Sequence, residues 1–284
     1  MSNNARSLLL IHISVMLLGM SGLFGKLVEL PAVIIVLGRV FFSLCFLFVV
    51  IKIKKYSIKL ATINEYILII IAGIIISIHW TAFMQSVQIS TVAVATLTFA
   101  TYPLIVTFIE PVIFREKLKL ISVISAIIMI LGVFVIVPSY EPGNEITKGV
   151  IWGMISSLAF GIVSMINRKF SNKYVSEVIS FYEQGVATLV LLPAFFLIRP
   201  QITIKDTLAV IVLGVVFTAI AHTLFIRGLK YVKVQTAGII SGLESAYGII
   251  FALLILREVP SIRELIGGVI ILSVVFYTTV ASEK

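Results

Sequence analysis

Residues 31–51 read PAVIIVLGRVFFSLCFLFVVI, twenty apolar or small residues around one arginine, Arg39. As a helix rising about 1.5 Å per residue, such a stretch measures about 30 Å, the thickness of a bilayer's hydrocarbon core. Working outward, nine further stretches of the same character occupy 6–26, 65–87, 91–113, 119–138, 148–167, 175–198, 207–228, 234–256 and 262–281. The predicted fold is an all-α integral membrane protein with ten transmembrane helices. Only 52–64 and 139–147 are long enough to read as loops, and the second carries turn chemistry (Ser139, Glu141, Pro142, Gly143, Asn144) near the middle of the chain.

Composition agrees with this reading. Of 284 residues, 60% are hydrophobic and 12% charged, about half the charge of an ordinary soluble domain, and the mean hydropathy is +1.17. Too little polar surface remains to cover a water-soluble core. The net charge of +9 comes from basic residues that punctuate apolar stretches instead of forming a face, so nucleic acid is not an expected partner. The single cysteine, Cys45, sits inside an apolar run and offers neither an internal disulfide nor a metal cluster.

Sliding the chain against itself by 142 residues superposes Ser14 on Ser156, Gly19 on Gly161, Thr81 on Thr223, Phe83 on Phe225, Ala95 on Ala237, Arg115 and Glu116 on Arg257 and Glu258, and Val133 and Phe134 on Val275 and Phe276. Each half, 1–142 and 143–284, then holds five spans. A duplicated unit with an odd number of crossings inserts its second copy upside down, relating the halves by a pseudo-two-fold axis in the membrane plane. With the N-terminus inside, the inner segments carry 15 Lys and Arg and the outer segments 6, so both termini are expected in the cytoplasm of a cell membrane. The first span is read as a retained helix and not a cleaved signal: no small-x-small site closes it, and it has a counterpart at 148–167.

The pattern resembles the drug/metabolite transporter superfamily, in its ten-helix EamA form. The likeness rests on Gly19 to Gly25 closing the first span, Arg39 in the second, Tyr102-Pro103 followed fourteen residues later by Glu116, and Leu243-Glu244 followed at the same spacing by Glu258. Two departures stand out. Ser245 occupies the place of a usual proline, and Arg115 and Arg257 stand where glycine is common before the acidic residue. Pro103 still predicts a kink in the fourth span, whereas a kink in the ninth is in doubt. The resemblance implies export or exchange of small metabolites by alternating access, with a site near the midplane between the halves.

An ionisable side chain within a span is expensive unless paired or wet, so each is a functional candidate. Arg39 lies about 12 Å below the outer end of its helix and Glu244 about 15 Å from the inner end of the ninth. Glu244 is the candidate central acidic group, with Arg39 as its partner or as a contact for a substrate anion; the competing reading is an ion pair that fixes helix packing. Glu183 and Glu244 are the candidates for carrying a proton, and Glu183 has no partner visible in sequence. Glu110, before Pro111, is expected at the headgroups. His79 and His222 are substrate-binding or proton-relay candidates against a packing role, which is the stronger reading for His12. Tyr102, the repeat counterpart of Glu244, together with Trp80 and Tyr247, would supply apolar walls and a hydroxyl.

Small residues recur every four positions at Gly149, Gly153, Ser157 and Gly161 and at Ala237, Ser241 and Ser245, stripes that let helix backbones approach closely. Glu116 and Glu258, beside arginines at opposite membrane faces, read as interfacial salt bridges or gates, or as solvated helix ends.

Gly19-Met20-Ser21-Gly22 matches the Gly-x-Ser-Gly of intramembrane serine proteases, with Ser21 as nucleophile and His222 as an imaginable base. Ten helices and an ordinary small-residue position weigh against that hydrolase. The lone aspartate, Asp206, cannot form a magnesium-binding cluster. Phosphate-cradling loops are lacking, as are metal-ligand spacings and a charged or filter-like ring, which disfavours pumps and channels. The expected protein is a secondary transporter without cofactor or metal, monomeric or homodimeric, in contact with lipid, a small-molecule substrate such as an amino acid, and protons. A passive facilitator is the alternative. The expected cavity is lined by spans three, four, eight and nine with contributions from one, two, six and seven.

Overall fold

A computed structural model describes residues 3–114, 120–137, 143–232 and 234–282, and among them every regular element is a helix. Glu116 with Arg115, the turn residues 139–142 and the side chain of Glu110 lie outside what is described. The first apolar stretch folds as α1 (Asn3–Ser21) and the short α2 (Phe24–Leu27), followed by α3 (Ala32–Lys54) and α4 (Ile63–Ile89). The fourth stretch is divided into α5 (Val92–Phe99) and α6 (Tyr102–Phe114), and α7 (Leu120–Ile136) follows. The second half begins with α8 (Glu145–Ser171) and α9 (Ser176–Ile198). Next come α10 (Ile204–Gly214), a π-helical turn (Val215–Ile220) and α11 (Ala221–Gly228) as one continuous rod. Last are α12 (Val234–Phe251), which ends in a second π-turn (Ala252–Leu256), and α13 (Ile262–Ser282).

Seven of these rods are long and apolar enough to cross a membrane among the described residues: Asn3–Leu27, Ala32–Lys54, Ile63–Ile89, Glu145–Ser171, Ser176–Ile198, Ile204–Gly228 and Thr236–Leu256. The fourth stretch falls short because Pro103 has no amide hydrogen for the Phe99 carbonyl. Helix α5 therefore closes at Phe99, Ala100 and Thr101 form a turn, and Pro103 enters α6 in its first turn, where its missing donor costs nothing. At the matching position α12 runs unbroken through Ser245, whose hydroxyl donates to the Thr96 carbonyl of α5 at 2.8 Å.

The other departure from the family pattern has a backbone consequence. Arg257 adopts φ 57°, the left-handed conformation that ends a helix, and glycine takes it without the steric cost that a Cβ brings. Arg257→Gly is expected to raise stability by about 1 kcal/mol, read as a higher thermal midpoint in detergent. An unchanged or lower midpoint would show that this cap is unstrained.

Packing follows the 142-residue repeat. Helix α3 packs on its own counterpart α9, and α7 on α13; α1 on α12 is matched by α8 on α5 and α6, and α8 on α4 by α1 on α11. Single contacts obey the same rule. Ser14 donates to the Ala221 carbonyl, while Ser156 and His79, at the positions 142 residues away, bond each other. A Cβ on Gly19 would meet Tyr247 and the Glu244 carbonyl, and one on Gly161 would meet Ile105 and the Tyr102 carbonyl.

Both stripes of small residues are close-approach surfaces. Gly149 abuts Ser90, Gly153 abuts Thr98, and Ser157 bonds Thr101 at 2.9 Å, so α8 lies against α5 and α6 along its length. On α12, Gly238 abuts Pro103 and Ser241 accepts from Tyr102.

Polar side chains tie the halves at both ends of the bundle. At the end rich in lysine and arginine, Glu177 of α9 meets Arg227 at 2.5 Å and Lys54 at 3.5 Å. Glu65, which also completes a capping box with Thr62 at the start of α4, meets Lys173 at 2.8 Å and Tyr174 at 2.7 Å. The Lys173 ammonium, in the connection between α8 and α9, is held above its ordinary pKa by that hydrogen bond. At the opposite end the Val92 amide of α5 donates to Glu258 at 2.7 Å, and the Thr91 hydroxyl donates to Glu264 of α13. Glu258 is thus neither a solvated end nor the partner of Arg257; it caps the N-terminus of a helix from the other half.

Candidate functional site

Where α3 crosses the π-turn after α10, the approach is set by glycine. A Cβ on Gly214 would lie 2.8 Å from the Arg39 carbonyl, and one on Gly38 would collide with the Val210 side chain. The wider π-turn carries Thr218, whose hydroxyl donates to the Leu213 carbonyl at 2.7 Å and accepts from Arg39 Nε at 2.9 Å. The guanidinium carbon lies 4.7 Å from the centre of the Trp80 ring, a cation–π contact that holds the charge in apolar surroundings. Arg39 is 1% exposed, and both of its terminal nitrogens lack a hydrogen-bond partner.

Those nitrogens belong to a side chain that borders a cavity of about 20 Å³, lined by Leu18, Ser21, Arg39, His79, Trp80, Phe83, Phe99, Phe160, His222 and Glu244. Glu244, 5% exposed, is the acidic member. Arg39 and Glu244 share this cavity, and no ion pair joins them. A buried guanidinium and a buried carboxyl at one cavity without direct contact leave hydrogen-bonding capacity free for a guest.

The remaining ring residues form its wall. His79 Nδ1 lies 2.8 Å from Ser156 Oγ and 3.0 Å from the Ser156 carbonyl, and its ring packs against Phe160 at 4.7 Å and Phe99 at 5.2 Å. His222 sits edge-on to Trp80 at 5.3 Å and places Nε2 at 2.8 Å from Glu183 Oε2. Tyr102 and Tyr247 are not in the lining. Tyr102 lies behind Phe99 and Phe160 with its hydroxyl donated to Ser241 at 3.0 Å, so it offers the cavity no hydroxyl. Tyr247 has its Cβ against Gly19.

Of the spans expected around the cavity, the seventh contributes no lining residue and acts through the bond from Glu183 to His222. Phe83, Phe99, Phe160 and Leu18 were not legible as wall residues, because aromatic and aliphatic side chains are the commonest content of every span. The Glu183–His222 pair and Thr218 were also missed. A lone glutamate and a lone histidine in separate spans carry no spacing signal. Ser21 and His222 border the same cavity, yet no hydrogen bond joins them and His222 Nε2 is engaged by Glu183, so the serine lacks the base contact that a nucleophile needs.

A bundle of duplicated apolar helices around a small charged cavity defines a class, the membrane transporters built from repeats. The EamA-like transporter family model matches the chain twice, over residues 5–137 and 147–280, and the chain belongs to that family. Relatives include a protein of Archaeoglobus fulgidus, 29% identical over 68% of this chain and 68% of its own. Another, from Bacillus subtilis, is 22% identical over 95% of this chain and 88% of its own, and both are described as uncharacterized transporters. A crystal structure that superposes over 99% of both chains, with a TM-score of 0.73 at 15% identity, has the same fold. The chain is a multi-pass membrane protein of a transporter family.

Proposed function

We propose that the protein is a secondary-active transporter that moves a small zwitterionic metabolite, such as an amino acid, outward across the cell membrane by alternating access. The observation that carries this reading is the pair Arg39 and Glu244, both buried and bordering one cavity without an ion pair between them, with the two terminal nitrogens of Arg39 unpartnered. A zwitterion supplies a carboxylate to the free guanidinium nitrogens and an ammonium to Glu244, satisfying both with charge-assisted bonds.

The 20 Å³ cavity has room for about one water molecule, so a metabolite enters only when the halves separate. The two polar closures offer the means. Release of Glu177 from Lys54 and of Glu65 from Lys173 and Tyr174 opens the basic end, and release of Glu258 and Glu264 from the start of α5 opens the other. In this mechanism ten helices cross the membrane as two inverted five-helix halves, with the short rods packed against longer neighbours. The basic end and both termini face the cytoplasm, where lysine and arginine concentrate.

Purified protein in liposomes loaded with a labelled mixture of the twenty common L-amino acids tests the reading. The expected result is counterflow of at least one of them, accelerated by an opposing pH gradient. Flux indifferent to the gradient favours a facilitator, and no flux of any member refutes the amino-acid assignment.

A further inference from the structure

Away from Arg39 and Glu244, most of the buried polar atoms without a partner among the described residues lie on α8, α9 and α11. Glu183 on α9 and His222 on α11, 0% and 1% exposed, meet at 2.8 Å. The second oxygen of Glu183 has no partner, and neither do both polar atoms of Gln184, the hydroxyls of Ser180, Ser164 and Thr223, and Asn167 Oδ1. Ser180 is four residues from the start of α9, which carries Glu177, and Asn167 four from the end of α8, so both lie toward the basic end. Buried polar atoms without protein partners in a membrane mark places that water or an ion reaches.

We infer that the His222–Glu183 pair is a proton-binding site of its own, separate from the Arg39–Glu244 subsite and served from the basic end by this strip of polar side chains. The hydrogen bond needs one proton between Nε2 and Oε2, which leaves neutral imidazole beside carboxylate and a net charge of −1. A second proton on the imidazole makes the pair neutral. One proton therefore decides whether an uncompensated charge is buried.

The site communicates with the cavity through a shared ring. His222 lines the cavity and touches Trp80, whose face carries Arg39. A proton on His222 adds a second positive charge to that wall and weakens the hold on a substrate ammonium. Proton and substrate then bind in opposition, as exchange requires; this step rests on the transporter reading. The charged and titratable groups around the pair are Arg39 from α3, His79 from α4 and Glu244 from α12 at the cavity, with Glu177 and Tyr182 on α9 and Arg227 on α11. Helix α8 has no ionisable side chain between Lys148 and Arg168, the rod from Thr207 to Ile226 has only His222, and α1 beyond its first turn has only the exposed His12.

The test uses the protein's own reporter. Trp80 and Trp152 are the two tryptophans, and Trp152 is 38% exposed on the outside of the bundle, so Trp152→Phe leaves Trp80 as the single emitter. Imidazolium quenches a neighbouring indole, and titration of this variant in nanodiscs between about pH 5 and pH 9 is expected to show one transition in Trp80 emission. Adding His222→Gln should remove it, and adding Glu183→Gln should displace its midpoint by at least about one pH unit. In liposomes with the labelled amino-acid mixture, Glu183→Gln should lose gradient-driven accumulation about tenfold more than it loses exchange without a gradient.

Absence of the transition, its survival in His222→Gln (which assigns it to another group at the cavity, His79 or Glu244), or a midpoint indifferent to Glu183→Gln each overturns the proposal, as does undiminished accumulation by Glu183→Gln. If wild-type protein moves no amino acid, the substrate reading fails alone, and the proton site stands or falls on the Trp80 titration.

Discussion

Glu244→Gln is expected to slow amino-acid counterflow by about 10- to 150-fold, the equivalent of one charge-assisted hydrogen bond, with a second effect on stability. Neutralising Glu244 leaves the Arg39 cation, 1% exposed, without its counter-charge in the same cavity, and a buried charge stripped of compensation destabilises a fold. Arg39→Gln should act in the same direction and also lose the Thr218 bond and the Trp80 contact. The combination of Arg39→Gln with Glu244→Gln separates two roles. The pair of substitutions removes both charges, so the thermal midpoint should recover part of the loss seen in either alone. Transport should not recover, because the groups that hold the substrate are gone. If the double variant regains both stability and flux, the two residues are a packing device and the substrate role is wrong.

The second large effect concerns two glycines that the repeat makes equivalent and the packing does not. A Cβ at Gly19 would lie 2.8 Å from Tyr247 Cβ and 3.0 Å from the Glu244 carbonyl oxygen. Neither atom is the loose end of a side chain, so α1 and α12 must move apart. Gly19→Ala is expected to cost about 1–3 kcal/mol and to slow transport, since the displaced segment carries Glu244. At Gly161 the nearest atoms are Ile105 Cγ2 at 3.4 Å and Ile105 Cβ at 3.6 Å, ordinary contacts. Gly161→Ala should therefore stay within about 0.5 kcal/mol of wild type. Unfolding midpoints of the two variants, measured side by side in one detergent, decide the matter. Equal losses would mean that the repeat and not the local contact sets the tolerance.

Much of this architecture was legible because it depends on local composition. Twenty apolar residues in a row need no partner to declare a membrane helix, and a missing amide hydrogen at Pro103 breaks its own helix. The small-residue stripes announced close approach through their four-residue spacing, and the structure seats them on Ser90, Thr98, Thr101 and Pro103. The length of the rods was less legible. The fourth stretch, uniformly apolar in sequence, is two short helices, and the eighth contains a π-turn that no composition marks. The depth arithmetic placed Arg39 and Glu244 at similar levels, and they do border one cavity. Depth alone did not say whether they touch.

The sequence by itself therefore determined the solvent, the duplication and the family, since hydropathy and a 142-residue repeat are properties of the chain read in order. Tertiary structure alone decided which side chains meet. Successive residues on a helix point about 100° apart, so whether Glu183 or Gln184 stands in front of His222 depends on how α9 is rotated about its axis. That rotation is set by contacts spread over the whole bundle, among them Gly73 against Val186 and Leu44 against Gly185. The same cause holds Arg39 on Thr218 and Trp80 without an ion pair to Glu244. The ionisable residues visible in the sequence thus sort into two couples, Arg39 and Glu244 at one cavity without an ion pair and Glu183 hydrogen-bonded to His222 in its wall.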